Sequence, residues 1–323
     1  MKIKRHVFVL VIGVSIFPAL NAFADASGCQ SVLKKIEATE RDGKLKDAYD
    51  AAMKSPCYQE GSPVVGDFEA LLKRTAKKLG EAAEKKGQYD EASEYYRTYR
   101  FGVDEDRVQY RKAMAKPDVF SIVQGGVAYL RGVQQELNDP HSMAGMGPDR
   151  NARMKAIPEY LDKLQTIALK NGNRYLSDDD RTFKARNTSL TAKSDSLSEL
   201  GKARDWLGLF GQGKLANERA LQHGDALATK DTRTLLRLAI DYYQFADNEP
   251  KVDKVKEKAR RLGDASLKKG DKKVAADFYA IAGMDDKSRQ LEESYEKEKE
   301  KAENKRQGQF KKDQDSLEKE LGM

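Results

Sequence analysis

Apolar residues recur at helical spacing through most of the chain. Between residues 119 and 137 they follow each other every three or four positions, which predicts a buried helix that starts at Pro117. Turn-forming residues then predict a loop over 138–158, and a further helix is expected to begin near Pro158. The polar composition of residues 171–196 predicts a mostly exposed connection with one helical piece.

The end of the chain, residues 286–323, predicts a single highly charged helix. Its apolar residues form only a thin stripe, while pairs such as Glu293 with Lys297 support the helix locally. A sustained coiled coil needs apolar a and d positions over several heptads, and those positions are mostly charged here. The pattern favours a solvated capping helix, and a partner-binding coiled coil is the alternative.

Two internal matches show that one structural unit is used repeatedly. The stretch from Leu79 to Tyr96 aligns without a gap to the stretch from Leu262 to Tyr279. A second match recurs every 36 residues, because alanines 203, 239 and 275 are each followed by an aspartate and then by large apolar or aromatic side chains. Small residues let two helices approach closely, and the large residues that follow fill the next layer. The matches therefore predict packed helical hairpins.

At these positions the chain resembles the tetratricopeptide repeat. Leu79, Gly80, Gly87, Ala92 and Tyr96, together with Tyr89, stand where signature residues of that family fall. The resemblance extends over residues 73–106 and 256–285, and more weakly over 31–56 and 203–246. It implies an all-α fold of stacked antiparallel helical hairpins, a solenoid whose inner helices line a groove for a protein or peptide.

The resemblance also implies which residues face that groove. Family members that hold a C-terminal carboxylate have Lys followed one turn later by Asn, whereas Glu81 follows Lys77 here, so that clamp is not supported. The simpler interpretation of each position is a solvated helix face with i, i+4 ion pairs. By position in the unit, the groove residues are Arg74, Lys77, Glu81, Glu84, Lys85, Glu257, Arg260, Asp264 and Lys268.

Composition narrows the class of protein further. Charged residues make up 34% of the 323 residues and aromatic residues 8%, which excludes a collagen, a low-complexity chain, a disulfide-dense miniprotein and a polytopic membrane protein. The net charge is +7, but the 52 acidic residues are interleaved with the 59 basic ones. Because no basic stripe forms, nucleic acid is not expected as a partner.

The first 24 residues carry the pattern of a bacterial secretory signal peptide. Lys2, Lys4 and Arg5 precede an apolar run from residue 7 to residue 20, and Ala22-Phe23-Ala24 is a small-x-small cleavage site. The run is shorter than the roughly 20 residues of a membrane-spanning helix. The sequence therefore predicts cleavage near Ala24 and a periplasmic or secreted protein.

Two cysteines, Cys29 and Cys57, are expected to form a disulfide in that oxidising compartment. Gly43 lies midway between them, so two antiparallel helices that turn there bring both cysteines to the same end, and Pro56 ends the second helix. The alternative is a lipoprotein, because Ala26-Ser27-Gly28-Cys29 is similar to a lipobox. Only in that case does the sequence predict attachment to a membrane.

Other candidate chemistry is weak. Residues 208–214 have the spacing of a phosphate-binding loop, but Leu215 replaces the magnesium-binding Ser or Thr, so a turn between hairpins is the better interpretation. His141, Met143 and Met146 are soft ligands for copper in a mobile loop, a pattern that is also common without metal. His223 is expected to be a packed or surface imidazole. No catalytic motif is found, and neither cofactor nor metal is expected.

The sequence thus predicts five segments. They are a signal peptide (1–24), N-terminal hairpin repeats (25–116), a middle helical region (117–200), C-terminal hairpin repeats (201–285) and a charged helical tail (286–323). The expected function is that of an exported scaffold or assembly factor that binds a protein or peptide in the cell envelope. The alternatives are an enzyme that acts on envelope polymers and a membrane-tethered lipoprotein with the same binding role.

Overall fold

The computed structural model describes residues 26–185 and 191–320, and within these ranges it contains helices and no strand. None of the described helices has both the length and the hydropathy needed to cross a bilayer. The expected signal peptide lies outside the described residues. The helices are α1 (Ala26–Arg41), α2 (Leu45–Met53), α3 (Val65–Lys85), α4 (Tyr89–Thr98), α5 (Gly102–Ala115), α6 (Phe120–Asn138), α7 (Met143–Met146), α8 (Arg150–Ala185), α9 (Thr191–Gly208), α10 (Lys214–Ala228), α11 (Arg233–Phe245), α12 (Glu249–Lys268), α13 (Lys272–Ile281) and α14 (Asp285–Glu320).

The helices are grouped in two compact units. The first unit contains the chain up to Lys112 together with Gly147–Arg153, and the second contains Ala113–Met146 and the chain from Met154 onward. In the first unit α1, α2, α3 and α4 pack as consecutive neighbours, and in the second unit the helices from α9 to α14 do the same. The prediction of an all-α fold of packed helical hairpins is therefore confirmed, whereas the five expected segments stay a prediction.

One packing contact recurs in successive hairpins of the second unit. A glycine on the first helix lies against a large side chain on the second, in the pairs Gly224 with Tyr243 and Gly263 with Tyr279. A Cβ atom at Gly224 would lie 2.6 Å from the Tyr243 ring, and one at Gly263 would lie 3.0 Å from the Tyr279 ring. The two tyrosines are 36 residues apart, so this contact is the physical origin of the sequence period.

The first unit repeats the same contact in the hairpin of α3 and α4. A Cβ atom at Gly80 would lie 2.5 Å from Cε1 of Tyr96, whose side chain is fully buried. The turn is also shared, because Gly87 and Gly270 have φ values of +75° and +83° and follow α3 and α12. Glycine adopts this left-handed conformation readily, and the backbone N–H groups that follow bond to carbonyls of the last helical turn.

The N-terminal hairpin has the predicted construction. The chain turns at Gly43, where φ is +79°, and α2 ends at Met53, before Pro56. Cys29 and Cys57 form a disulfide with their Cα atoms 5.5 Å apart, and both side chains are buried. The predicted disulfide is confirmed.

The boundaries expected for α8 were wrong. This helix begins at Arg150 and ends at Ala185, so the expected loop over 138–158 is shorter and Pro158 lies inside the helix. Its start is held because Arg153 forms a buried ion pair with Asp106, with Nε 2.7 Å from Oδ2. The polar region is helical from residue 171 to residue 185 and partly buried, because its polar groups find partners, as when Asn171 donates to the carbonyl of Pro117 at 2.8 Å. Residues 186–190 of the expected connection lie outside the described residues.

The charged tail is helical as predicted up to Glu320, and residues 321–323 lie outside the described residues. Lys287 and Ser288 tie the start of α14 to the preceding hairpin, where Ser288 donates to the carbonyl of Ala276 at 2.9 Å. Residues 296–313 are exposed on every side. The choice between a solvated helix and a coiled coil stays open.

Candidate functional site

Glu84, which the repeat resemblance places in a groove, is buried among α3, α4 and α5. Arg107 donates to both of its carboxylate oxygens, at 3.0 and 2.9 Å, Arg111 donates at 2.7 Å, and the Tyr96 hydroxyl lies at 3.3 Å. Burial by itself raises the pKa of Glu84, but the hydrogen bonds and charges of the two arginines outweigh it, and the pKa lies below its ordinary value. Glu84 therefore holds three helices together with a charged side chain.

The other groove residues predicted on α3 differ in exposure and partners. Arg74 donates to two carboxylates of α1 at 2.9 and 3.0 Å, and Lys77 lies 3.8 Å from a carboxylate of α5. Glu81 and Lys85 are exposed. None of these contacts tests whether the four residues hold a partner, so their binding role stays a prediction.

In the second unit, Asp264 connects three helices. It accepts a hydrogen bond from the Tyr279 hydroxyl at 2.6 Å, and Lys287 Nζ lies 3.5 Å from it and 4.0 Å from the centre of the Tyr279 ring. The hydrogen bond from Tyr279 is the largest cause that lowers the pKa of Asp264. Three consecutive elements, α12, α13 and α14, are thus joined through one carboxylate.

The same arrangement occurs one hairpin earlier. Asp225 on α10 accepts from the Tyr243 hydroxyl at 2.8 Å and from Lys251 Nζ at 2.6 and 2.8 Å. Burial raises the pKa of Asp225, but the bonds from Lys251 and Tyr243 exceed that effect and the pKa falls below its ordinary value. The two Asp-Tyr-Lys bridges thus connect α10 with α12 and α12 with α14.

The remaining predicted residues lie on the exposed surface of α12. Glu257 accepts from Arg260 at 2.8 Å and from Arg261 at 3.1 Å, and these bonds lower its pKa to about 2. Lys268 is exposed in the last turn of the helix. The pairs along one helix match the simpler interpretation of these residues, and a role in binding stays a prediction.

A cleft of about 290 Å³ lies between α10 and α12, and we refer to it as the lysine cleft. Lys258 lies along it and donates to the carbonyls of Ala228 and Lys230 at the end of α10, at 2.8 and 3.1 Å. Lys254 is exposed and makes no ion pair with the described part of the chain. The lining residues are Asp225, Ala228, Tyr243, Lys251, Lys254, Val255 and Lys258.

The second unit also contains a group with the donor set of a metal site. Ligand atoms of Asp179, Asp180 and His223 lie within 4.8 Å of one another. Asp180 pairs with Arg219, and Asp179 accepts from Ser196 and lies 2.7 Å from Nε2 of His223. Because these internal donors already engage both carboxylates, the group is best explained as a structural network.

His223 is packed inside that network. It is 6% exposed, and its ring stacks on Phe183 with the centroids 3.7 Å apart. Burial raises the pKa of Tyr242 to about 12, so its hydroxyl stays protonated and donates to Ser196 at 2.7 Å. No sequence signal could identify this network, because His223 is 44 residues from the aspartate it meets.

The two weaker motifs lie in turns. Residues 208–214 connect α9 to α10. A helix and not a strand precedes this glycine-rich segment, which agrees with its interpretation as a turn between hairpins. His141, Met143 and Met146 are exposed around the four-residue α7. The described atoms give no reason to assign a ligand to either.

Comparison of the chain with protein-family models, with curated proteins and with solved structures finds no match. The proposed function therefore rests on the geometry of the residues themselves.

Proposed function

We propose that this protein is an exported helical-repeat scaffold that binds a segment of a protein or peptide partner. The observation that carries the proposal is the recurring Asp-Tyr-Lys bridge, which connects the first helices of successive hairpins and leaves the lysine cleft between α10 and α12. Repeat proteins use such surfaces for binding, because each added hairpin extends the same face.

We assign the hairpins to the tetratricopeptide type. The glycine on each first helix and the aromatic ring on each second helix occupy equivalent places in the hairpins that begin with α3, α10 and α12. This packing supports the family signature that the sequence suggested for residues 73–106 and 256–285. The assignment to the tetratricopeptide type concerns the structure of the hairpin and does not identify the partner.

Binding is a better proposal than catalysis because of where the carboxylates lie. Two buried carboxylates, those of Glu84 and Asp179, accept hydrogen bonds from neighbouring helices. A general acid or base must reach the substrate, and these carboxylates are buried. The exposed groups of the lysine cleft suit contact with a partner.

The disulfide supports export without a lipid anchor. Lipidation in a lipoprotein attaches the acyl group to the cysteine sulfur, and in this fold the Cys29 sulfur is bonded to that of Cys57. Structural disulfides persist in oxidising compartments, which agrees with the signal-peptide pattern of residues 1–24. The proposed site of action is therefore the periplasm or the extracellular space.

Site-directed photocrosslinking in the producing cells tests the function. A photoreactive amino acid replaces Lys254 in the lysine cleft, and the matched control carries it at Ala280, which is exposed on α13. We expect a discrete adduct from position 254 that is absent from position 280, and the captured protein, once purified, should bind the wild type more tightly than Lys254→Glu. Equal crosslinking at both positions, or equal affinity for both proteins, would refute binding at this cleft.

A further inference from the structure

We propose that a second site, separate from the lysine cleft, binds a peptide segment that carries carboxylate groups. The site is an open groove of about 490 Å³ between α6 and α9, which we refer to as the arginine groove. Phe120, Val127 and Arg131 line it from α6, and Arg204 and Asp205 line it from α9. Its volume is in the range of sites for peptides and small molecules.

Two guanidinium groups give the arginine groove its chemistry. Cζ of Arg131 lies over the Phe210 ring, 4.9 Å from its centroid, and Cζ of Arg204 lies over the Phe245 ring at 4.3 Å. Arg204 also donates to the carbonyl of Phe245 at 3.3 Å. Both arginines are exposed, and neither meets a carboxylate among residues 26–185 and 191–320. Most of their N–H donors are therefore available to a ligand.

The aromatic rings prepare the arginines for binding. A guanidinium that packs against a ring has fewer side-chain conformations open to it, so less entropy is lost when it bonds to a carboxylate. A carboxylate matches two parallel N–H groups of arginine, which makes this pairing directional as well as strong. Elsewhere in the same unit, exposed arginines such as Arg260 and Arg289 already pair with a neighbouring carboxylate.

The apolar wall of the arginine groove favours a peptide. The ring of Phe120 packs edge-on against Trp206 at 5.3 Å, and Val127, which also lines the groove, is buried. This rigid surface suits an aliphatic or aromatic side chain next to the bound carboxylate. A simple inorganic anion gains nothing from such a wall.

Asp205 separates a peptide from a phosphate ligand. It is exposed at the edge of the arginine groove and makes no ion pair with the described residues. The negative charge of Asp205 disfavours a compact phosphate, whose charge lies close to Asp205 wherever the phosphate meets the arginines. A peptide can place its carboxylates on the arginines and donate a backbone N–H to Asp205. The two arginines and Asp205 together therefore select an acidic peptide segment.

Fluorescence anisotropy of the full, disulfide-bonded chain tests the proposal. The probe is a labelled short peptide in which Leu and Glu alternate, and the reference is the same peptide with Gln in place of each Glu. The variants are Arg131→Gln and Arg204→Gln. Arg237→Gln is the matched control, because Arg237 is exposed on α11 and makes no ion pair with the described chain.

We expect saturable binding of the Glu peptide, and roughly tenfold weaker binding by either groove variant, since each lost charge-assisted pair removes about that much affinity. The Gln peptide loses both pairs and should bind more weakly still. Arg237→Gln should bind like the wild type, and thermal melts should show that all variants fold. Arg131→Lys and Arg204→Lys should restore only part of the affinity, because lysine keeps the charge but lacks the planar fork.

Three results of the peptide titrations would overturn the proposal. They are the absence of saturable binding up to about 1 mM peptide, equal affinity for the Glu and Gln peptides, and equal effects of Arg237→Gln and the groove variants. Complete displacement of the peptide by inorganic phosphate at the same concentration would also overturn it, because the groove would then be a general anion site.

Discussion

Replacing Gly80 with alanine tests the packing contact on which the repeat depends. The new Cβ atom would lie 2.5 Å from Cε1 and 2.8 Å from Cζ of Tyr96, which is closer than Cβ atoms approach such carbon atoms in folded proteins. The ring cannot move aside easily, because it is fully buried, lies edge-on to Phe101 and is hydrogen-bonded to Glu84. One helix must therefore shift.

The expected cost follows from two opposing effects. Overpacking a tight core costs about 1–3 kcal/mol. Alanine in place of glycine favours a helix by about 1 kcal/mol. The fixed ring of Tyr96 puts the overpacking cost in the upper part of its range, so we expect a net loss of about 1–2 kcal/mol in the free energy of unfolding.

Gly66→Ala is the matched control, because Gly66 lies in the same helix and a Cβ atom there would have no neighbour within 4 Å. This variant should be as stable as the wild type or up to about 1 kcal/mol more stable. The assay is urea unfolding followed by circular dichroism.

A double-mutant cycle with Tyr96→Leu isolates the contact. Gly80→Ala should cost less in the Tyr96→Leu background, since the smaller side chain leaves room for the new methyl group. If Gly80→Ala unfolds at the same urea concentration as Gly66→Ala, or if its cost is the same with Leu at position 96, the proposed close contact is wrong.

Three further predictions concern other parts of the chain. Glu84→Gln should cost about 2 kcal/mol at neutral pH, because Arg107 loses a buried partner but stays partly solvated. The pKa of Glu84 is lower in the folded state than in the unfolded chain, where it is about 4.3, so the wild type should lose this stability as the pH falls below that value. Urea titrations at several pH values should show that the Glu84→Gln variant loses less stability over the same pH range. Intact-mass analysis should find a mature chain that starts at Asp25 and is two hydrogens lighter than the reduced form, and a chain that starts at a lipidated Cys29 would contradict this. Melts with and without reductant should show that the Cys29 to Cys57 bond contributes about 3 kcal/mol to the free energy of unfolding. Gly270→Ala should lower the free energy of unfolding by about 1–2 kcal/mol, because alanine is strained at a φ of +83°, and an unchanged melting temperature would argue against the turn.

Local patterns were enough to predict the hairpins and the disulfide of the first hairpin. The helical period, the glycine turn at position 43 and the small-then-aromatic repeat each act within a few residues or one hairpin, so they can be identified from the sequence alone. The pattern failed for α8, where Pro158 suggested a start that lies at Arg150. A proline signals a boundary locally, and here a distant ion pair between Arg153 and Asp106 holds the helix on its N-terminal side.

The sequence by itself determined the helical class, the repeated unit and the pairing of the cysteines. The tertiary structure decided which charged residues are internal supports and which are free to bind. Glu84 looks like a surface residue of a repeat, yet it is buried by arginines from the next helix, whereas Arg131 and Arg204 carry no motif and yet line one groove. The reason is that a helix period records which face a residue occupies, but its partner depends on the packing of helices that lie far apart in the chain.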